Sequence, residues 1–197
     1  YIARTLGAEG VGIYSYTYSV AQYFLLFAML GISNHGNRSI AAVREDDCKL
    51  SRTFWSIYSI QAFMYVLAII AYLIYLFAFN VDNKTIVAIQ FIYVVSGALD
   101  ISWYFFGTEQ FKITVTRNMI IKIATVILMF IFVHNPGDLA KYTVIMAGGT
   151  FLSQAYLWTY IFRQVDVVKV NWIDIKKHIK EVIILFIPVI AYSIYKL

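Results

Sequence analysis

The stretch that decides the fold is FWSIYSIQAFMYVLAIIAYLIYLFAF, residues 54–79, which contains no Asp, Glu, Lys or Arg. A helix needs about 20 consecutive apolar residues to cross the hydrocarbon core of a bilayer, and this stretch is long enough. A strand of a membrane barrel would alternate polar and apolar side chains, whereas residues 66–70 are apolar throughout. The stretch therefore predicts a transmembrane helix.

Similar apolar runs occur along the rest of the chain. Of the 197 residues, 61% are apolar or aromatic and 14% are charged, whereas a soluble domain carries roughly 25% charged residues. This composition excludes an ordinary soluble globule. The sequence predicts an all-α fold, a polytopic transmembrane helical bundle, with further spans at residues 11–32, 86–106, 114–133, 142–162 and 182–197.

The segments between the predicted spans differ in charge. Eleven of the 16 Lys and Arg residues lie in or beside segments 33–53, 107–113 and 163–181, and four lie on the opposite side. The positive-inside rule places the richer side in the cytoplasm, which leaves the single cysteine, Cys48, on the inner side. All four tryptophans lie near this predicted inner boundary, where amphipathic rings favour the headgroup layer.

The inner segment 171–181 has its own pattern. Trp172, Ile175 and Ile179 share one helical face, while Lys176 and Lys180 lie elsewhere. This spacing predicts an amphipathic helix on the inner membrane surface. Two interpretations remain open: a simple tether between two bundles, or a regulatory or lipid-sensing element.

Motifs that carry chemistry are absent from the sequence. A single cysteine cannot form an internal disulfide, and there is no zinc-ligand pattern, P-loop, HExxH or DxD sequence. The three histidines, His35, His134 and His178, fall in three segments, one of them on the opposite side, so each is expected to be solvated or interfacial. The net charge of +5 is not gathered into one basic face, which argues against nucleic-acid binding. We expect no enzyme, no metal and no cofactor.

Two ionisable residues fall inside predicted spans, where desolvation of a charge costs at least about 2.5 kcal/mol. Asp100 lies in span 86–106 beside Gly97 and Ala98, and is either a buried polar tie to a neighbouring helix or a carboxylate lining a water-filled cavity. Lys122 lies in span 114–133, and its long stem can snorkel to the inner interface.

Several motifs occur in an order that is similar to a known family. The segment RTLGAEGVGIYSY, residues 4–16 in the first loop, and the segment LDISWYFFGTEQFK, residues 99–112, resemble Wzx-type polysaccharide flippases of the multidrug/oligosaccharidyl-lipid/polysaccharide exporter superfamily. Segments 30–44, 132–142 and 186–195 resemble the same family. The resemblance implies two bundles around a central cavity, of which this chain is the N-terminal one. It divides the chain into a bundle at 1–162 that nearly lacks span 1, a linker at 163–181, and a truncated span 7 at 182–197.

The resemblance also implies a function. Such proteins move an undecaprenyl-diphosphate-linked oligosaccharide repeat unit across the bacterial cytoplasmic membrane for surface polysaccharide assembly. The expected partners are this lipid-linked substrate, membrane lipids, a polysaccharide polymerase and other assembly proteins. The predicted substrate-binding residues are Arg38 and Arg44 at the inner mouth, Asp100 facing the cavity, and Lys122.

Three alternatives are left open. An ion-coupled drug or metabolite antiporter of the same superfamily would use Asp100 to bind a proton or sodium ion. A membrane enzyme would normally have a large outer loop, and the outer loops here are short. A non-transporting assembly protein would tolerate a neutral residue in place of Asp100.

Overall fold

The computed structural model describes residues 1–29 and 31–196, with residues 187–196 described by their backbone alone. The predicted last span ends at Leu197, outside the described residues. The described part contains no strand, and a 3₁₀ turn at Pro136–Asp138 precedes its seventh helix. Its helices are α1 (Ile2–Met29), α2 (Ile32–Val43), α3 (Asp47–Ala78), α4 (Lys84–Ala98), α5 (Ser102–Gly107), α6 (Phe111–Phe132), α7 (Leu139–Ile161) and α8 (Trp172–Lys196).

Among the described residues, three segments are long and apolar enough to cross a membrane: Asp47–Ala78, Lys84–Gly107 and Phe111–Phe132. Their outer faces carry large apolar side chains, such as Phe63, Ile74 and Ile123, which are more than half exposed. Such faces suit lipid, whose tails are as apolar as leucine. The protein is a helical transmembrane bundle, which confirms the predicted fold class.

Helix α4 lies in the middle of the bundle, packed against α1, α3 and α7. Helix α6 packs mainly on α7 and has Thr114 and Arg117 as its buried residues. One core gathers around Phe54 and Trp103, and a second one around Tyr72. The first core holds α2, α3, α5 and α7 together, so it fixes the positions of the polar groups described below.

The two ends of the bundle are distinct. A polar cavity of about 670 Å³ is lined by Asp47, Gln110 and Arg163, which come from the three predicted inner segments. At the other end the Tyr1 hydroxyl donates to the Val133 carbonyl oxygen at 2.6 Å. The three inner segments therefore meet at one end of the bundle, as the alternation of spans predicts.

The structure differs from the predicted spans and their boundaries in three places. Residues 4–10, expected as a loop, belong to α1, which is kinked at Gly7 (φ +72°, ψ 174°); this backbone conformation is almost confined to glycine. The predicted span 86–106 is not one helix, because α4 ends at Ala98 and α5 begins at Ser102. Helix α8 runs without interruption across residue 182, where the predicted linker meets the predicted last span.

Candidate functional site

The candidate functional site is the break between α4 and α5, at residues 99–101, which we call the broken-helix site. A helix end within hydrocarbon exposes carbonyl groups that need internal partners. The Gln61 side-chain amide of α3 donates to the Asp100 carbonyl oxygen at 2.8 Å. The Trp158 indole N–H of α7 donates to the Leu99 carbonyl oxygen at 3.0 Å. Side chains of two neighbouring helices therefore stabilise the break.

Asp100 lies in this break and not within a helix, which corrects the sequence-based placement. Its carboxylate Oδ1 accepts a hydrogen bond from the Ser102 backbone N–H at 3.0 Å, so Asp100 satisfies one of the free amides at the start of α5. Asp100 directly precedes Ile101, the N-cap residue of α5, and a short acidic side chain favours this place because it can accept from the backbone amide two residues further on. Asp100 is half-buried, and this bond is local, to the backbone two residues further on. The two open interpretations, a polar tie to a neighbouring helix and a carboxylate lining a cavity, both stay predictions.

Gln61 is fully buried and joins the broken-helix site to the first core. Its Oε1 atom accepts from the Trp103 indole N–H at 2.9 Å. The Trp103 ring lies against Gly36 of α2, where a Cβ atom would come within 2.6 Å of the ring. Trp103 is therefore fully buried in the protein, which corrects its predicted place in the headgroup layer: the small residue on α2 admits the ring into the helix interface.

Arg117 is a buried cation that the sequence interpretation did not include among the site residues. Its guanidinium donates from Nη1 to the Ser153 carbonyl at 3.1 Å and the Gln154 Oε1 at 3.1 Å, and from Nη2 to the Asn118 Oδ1 at 3.0 Å. All three acceptors are neutral. Among the described residues its Nε has no hydrogen-bond partner, and the Asp100 carboxylate acts on it only through space.

A signal for Arg117 was present in the sequence. It lies three residues after Thr114, inside a predicted span, on the same helical face. Helical residues three or four apart are neighbours on one surface. Because Arg117 was counted only as a basic residue near the inner boundary, its burial was missed.

The other predicted site residues occupy separate positions. Arg44 pairs with Glu109 at 2.5 Å between Nη1 and Oε1, which ties the end of α2 to the turn after α5. Arg38 on α2 and Lys122 on α6 are exposed. The salt bridges within the described part of the chain include none that join these residues to Asp100. The structure therefore does not bring the four predicted residues into contact.

A cluster of tyrosines forms a second polar feature that was not predicted. The Tyr14 and Tyr93 hydroxyl groups are 3.1 Å apart, and the Tyr14 ring packs against Tyr18 and Tyr142. Next to it, the buried Gln90 amide donates to the Thr17 hydroxyl at 3.2 Å. The spacing of Tyr14 and Tyr18, one helical turn apart on α1, was the available signal.

The histidines are not all separate, which corrects another expectation. His35 and His178, predicted in different segments, form a hydrogen bond between their rings, while His134 is exposed. Within the described ranges, no group of three or more His, Cys, Asp or Glu side chains is arranged to hold a metal ion.

Comparisons with known proteins identify the family. The family described as "Polysaccharide biosynthesis protein" matches residues 1–197. The chain belongs to this family. The match confirms the resemblance inferred from the sequence motifs, and with the apolar helices it makes the chain a multi-pass membrane protein of polysaccharide biosynthesis.

One curated relative is a protein of Escherichia coli (strain K12) named "Putative O-antigen transporter". It is 25% identical over 209 residues, covering 99% of this chain and 48% of the relative. The chain thus spans about half the length of the curated relative that it matches. No solved structure matches the chain.

Proposed function

We propose that this chain is the first helical bundle of a flippase that moves undecaprenyl-diphosphate-linked oligosaccharide repeat units across the cytoplasmic membrane. The movement runs from the inner to the outer leaflet and includes no covalent step. On the outer side the repeat unit would pass to a polysaccharide polymerase and other assembly proteins. The second bundle would complete the cavity, with the two bundles rocking about the substrate.

The observation that carries this proposal is the match of a polysaccharide biosynthesis family along residues 1–197. The relative from E. coli is named as a transporter, which favours movement of a polysaccharide precursor over its synthesis. The apolar spans agree with a substrate that has a lipid tail. The proposed substrate is finer than the family description, so it needs its own test.

The physical chemistry of the site is compatible with this substrate. A diphosphate and hydrated sugars need a polar path through hydrocarbon, with Arg or Lys offsetting the negative charge. Broken helices in transporters lie where substrates and ions bind, and Arg117 is a buried cation on α6 that makes its hydrogen bonds to neutral acceptors. We assign Arg117 to the polar path, with Arg38 and Arg44 at its inner mouth.

The antiporter alternative depends on Asp100, because that function requires a carboxylate that binds a cation. Asparagine keeps the side-chain oxygen that accepts from Ser102 but has no charge. Asp100→Asn therefore keeps the bond from the Ser102 amide and removes only the charge that a cation-binding role requires. We expect near-normal export from the flippase with this substitution.

The experiment uses cells that lack their own flippase for a defined repeat unit and that express the intact coding sequence. We expect the intact protein to restore surface polysaccharide, and the 197-residue chain alone to fail, because half a cavity cannot seal a polar headgroup from lipid. Asp100→Asn should restore export at normal protein abundance. Arg38→Lys and Arg44→Lys keep the charge but lose bidentate phosphate contacts, so they should reduce export.

Lys169→Gln serves as the matched control, because Lys169 is exposed in the segment between α7 and α8 and is not a predicted substrate-binding residue. Failure of the intact protein to restore polysaccharide, at normal abundance in the membrane, would refute the proposed function. Loss of export in Asp100→Asn alone would instead favour cation coupling.

A further inference from the structure

Two histidines meet at the interface between α2 and α8. His35 Nε2 and His178 Nδ1 are 2.8 Å apart, and His35 Nδ1 lies 3.0 Å from the Glu181 carboxylate Oε2. The Ser39 hydroxyl lies 3.3 Å from His35 Nε2. His35 is buried, whereas the Glu181 side chain is 66% exposed. These side chains form a continuous hydrogen-bonded row from the interface to solvent.

The backbone at this place allows α8 to approach the end of the first span closely. A Cβ atom at Gly31 would overlap the Val182 carbonyl oxygen and lie 2.7 Å from the Leu185 Cβ. Val182 is buried in the first core. The histidine pair therefore lies directly beside the contact that holds α8 against the bundle.

The protonation state of the two histidines decides whether this row of hydrogen bonds can form. With both rings neutral, His178 donates from Nδ1 to His35 Nε2, and His35 donates from Nδ1 to Glu181. One added proton on the outer nitrogen of His178 leaves these bonds intact. A second added proton places N–H groups on both facing nitrogens, which are 2.8 Å apart, and gives both rings a positive charge, so the two rings repel each other. The doubly protonated pair must separate.

The charged groups near the rings are few. Glu181, Asp174 and Lys177, all on α8, act on one or both rings, and Asp174 pairs with Lys177 at 3.5 Å. Within the described part of the chain α2 adds the Ser39 hydroxyl, and the helices packed alongside, α3 and α5, add no charged group. Burial lowers the pKa of His35 despite the opposing effect of Glu181. Burial also lowers the pKa of His178, and the charge on His35 lowers it further.

We propose that His35, His178 and Glu181 form a proton-operated latch that holds α8 against α2 when the pair is neutral or singly protonated and releases it when both rings are protonated. A lowered pKa in the closed state means that the latch is fully stable above the ordinary histidine pKa of about 6.5 and weakens as the pH falls below it. Uptake of one additional proton on opening changes the open-to-closed ratio by about tenfold per pH unit.

The latch makes the movement of α8 depend on the protonation of the histidine pair. In the two-bundle arrangement proposed above, α8 is the helix that follows the first bundle, so its release would loosen the connection between the bundles. The latch itself does not depend on which substrate is moved. Its test therefore measures the distance between α2 and α8 and not the export of polysaccharide.

The experiment uses the intact protein in lipid nanodiscs, with Cys48→Ser to remove the exposed cysteine. Spin labels attached through Ala42→Cys on α2 and Lys176→Cys on α8 occupy exposed positions outside the latch. Pulsed electron spin resonance then measures the distance between them from pH 8 to pH 5. We expect one narrow distribution at pH 7.5 and a second, longer distance that grows below pH 6.5.

A double variant, His35→Gln with His178→Asn, keeps an amide pair that can form the same hydrogen bond without titrating. It should stay closed at pH 5, while His134→Asn, the control, should open like the wild type. Glu181→Gln removes the negative charge that stabilises an added proton on the closed histidine pair, so the transition should move to higher pH. An unchanged distance from pH 8 to pH 5 in the wild type would overturn the latch, and so would an unshifted transition in Glu181→Gln.

Discussion

Gln61 provides the sharpest test of the broken-helix site, because one side chain satisfies groups on both sides of the break. Its amide donates to the Asp100 carbonyl at 2.8 Å and its carbonyl accepts from the Trp103 indole at 2.9 Å. Gln61→Leu keeps a side chain of similar size but leaves these two groups without partners. All of Gln61 and Trp103 is buried, so water cannot replace the lost bonds without opening the core.

The expected loss follows from these two groups. An unsatisfied buried donor or acceptor costs about 1–3 kcal/mol, and hydrogen bonds between membrane helices have a measured average of about 0.6 kcal/mol. We therefore expect Gln61→Leu to lower the free energy of unfolding by about 1–4 kcal/mol. Reversible unfolding of the intact protein in mixed micelles measures this difference.

A matched glutamine serves as the control. Gln164 forms a reciprocal pair with Gln110, with bonds of 2.9 and 3.1 Å, beside the polar cavity and only half-buried. Because water can reach its partners, Gln164→Leu should cost less than about 1 kcal/mol. The reasoning depends on the cost of unsatisfied buried groups. It would be refuted if the free energies of unfolding of Gln61→Leu and Gln164→Leu both lay within about 0.5 kcal/mol of the wild-type value.

A double-mutant cycle isolates the Gln61 to Trp103 bond. Trp103→Phe removes the indole donor that Gln61→Leu leaves unsatisfied, so the double variant should lose less stability than the sum of the single variants. The expected coupling is about 0.5–1.5 kcal/mol. Additive losses would mean that the two side chains do not stabilise the break together.

Four further predictions follow from single positions. A membrane-impermeant maleimide should label Cys48 poorly in whole cells and readily after permeabilisation; equal labelling in both would contradict the predicted orientation. Arg117→Gln should change the unfolding free energy by less than about 2 kcal/mol, since Arg117 forms no salt bridge with the described residues, but should reduce export at normal abundance; normal export would remove Arg117 from the polar path. Gly7→Ala should destabilise the protein by about 1–3 kcal/mol because of its backbone angles, whereas Gly12→Ala, at an uncrowded helical position, should be neutral or stabilising in the same unfolding assay. Bonds from Lys141 and two backbone amides lower the pKa of Asp138 to about 2. The ionised Asp138 carboxylate should therefore stabilise the turn before α7 above pH 4 and lose this effect toward pH 2. Asp138→Asn should abolish that pH dependence, measured by hydrogen exchange of the His134 amide that donates to Asp138.

The spans could be predicted because the bilayer imposes a simple condition on composition. Long uncharged runs such as residues 54–79 must form helices, whichever helices they pack against. The same argument placed the three basic segments on one side, and the structure gathers them around one polar cavity. These conclusions needed no knowledge of tertiary contacts.

The break at residues 99–101 could not be predicted in this way, because the apolar run continues through it. The break is stable only because Gln61 and Trp158, 39 and 59 residues away from their acceptors, donate to its carbonyls. The sequence indicated that Asp100 was special, and its bond to the Ser102 backbone amide depends on that break. The burial of Arg117 could not be predicted either, because it depends on how α6 meets α7.

The histidine pair shows the same limit. His35 and His178 are 143 residues apart, and only the docking of α8 beside Gly31 brings them together. Segment 171–181 was correctly recognised as helical from its spacing. What the spacing did not reveal was that this helix continues past residue 182 and packs on the bundle at His178 and Val182, while Trp172 and Ile173 at its start are exposed.

The central claim is that the intact protein moves a lipid-linked oligosaccharide, and transport by the purified protein tests it most directly. Proteoliposomes would contain the intact protein and a fluorescent undecaprenyl-diphosphate oligosaccharide in both leaflets, with an impermeant reagent that destroys the outer label. We expect loss of the outer half of the signal in liposomes without protein and of nearly all of it with protein, more slowly for Arg117→Gln. If the fluorescence of the inner leaflet survived in liposomes that contain correctly folded, intact protein, this result would contradict the flippase function.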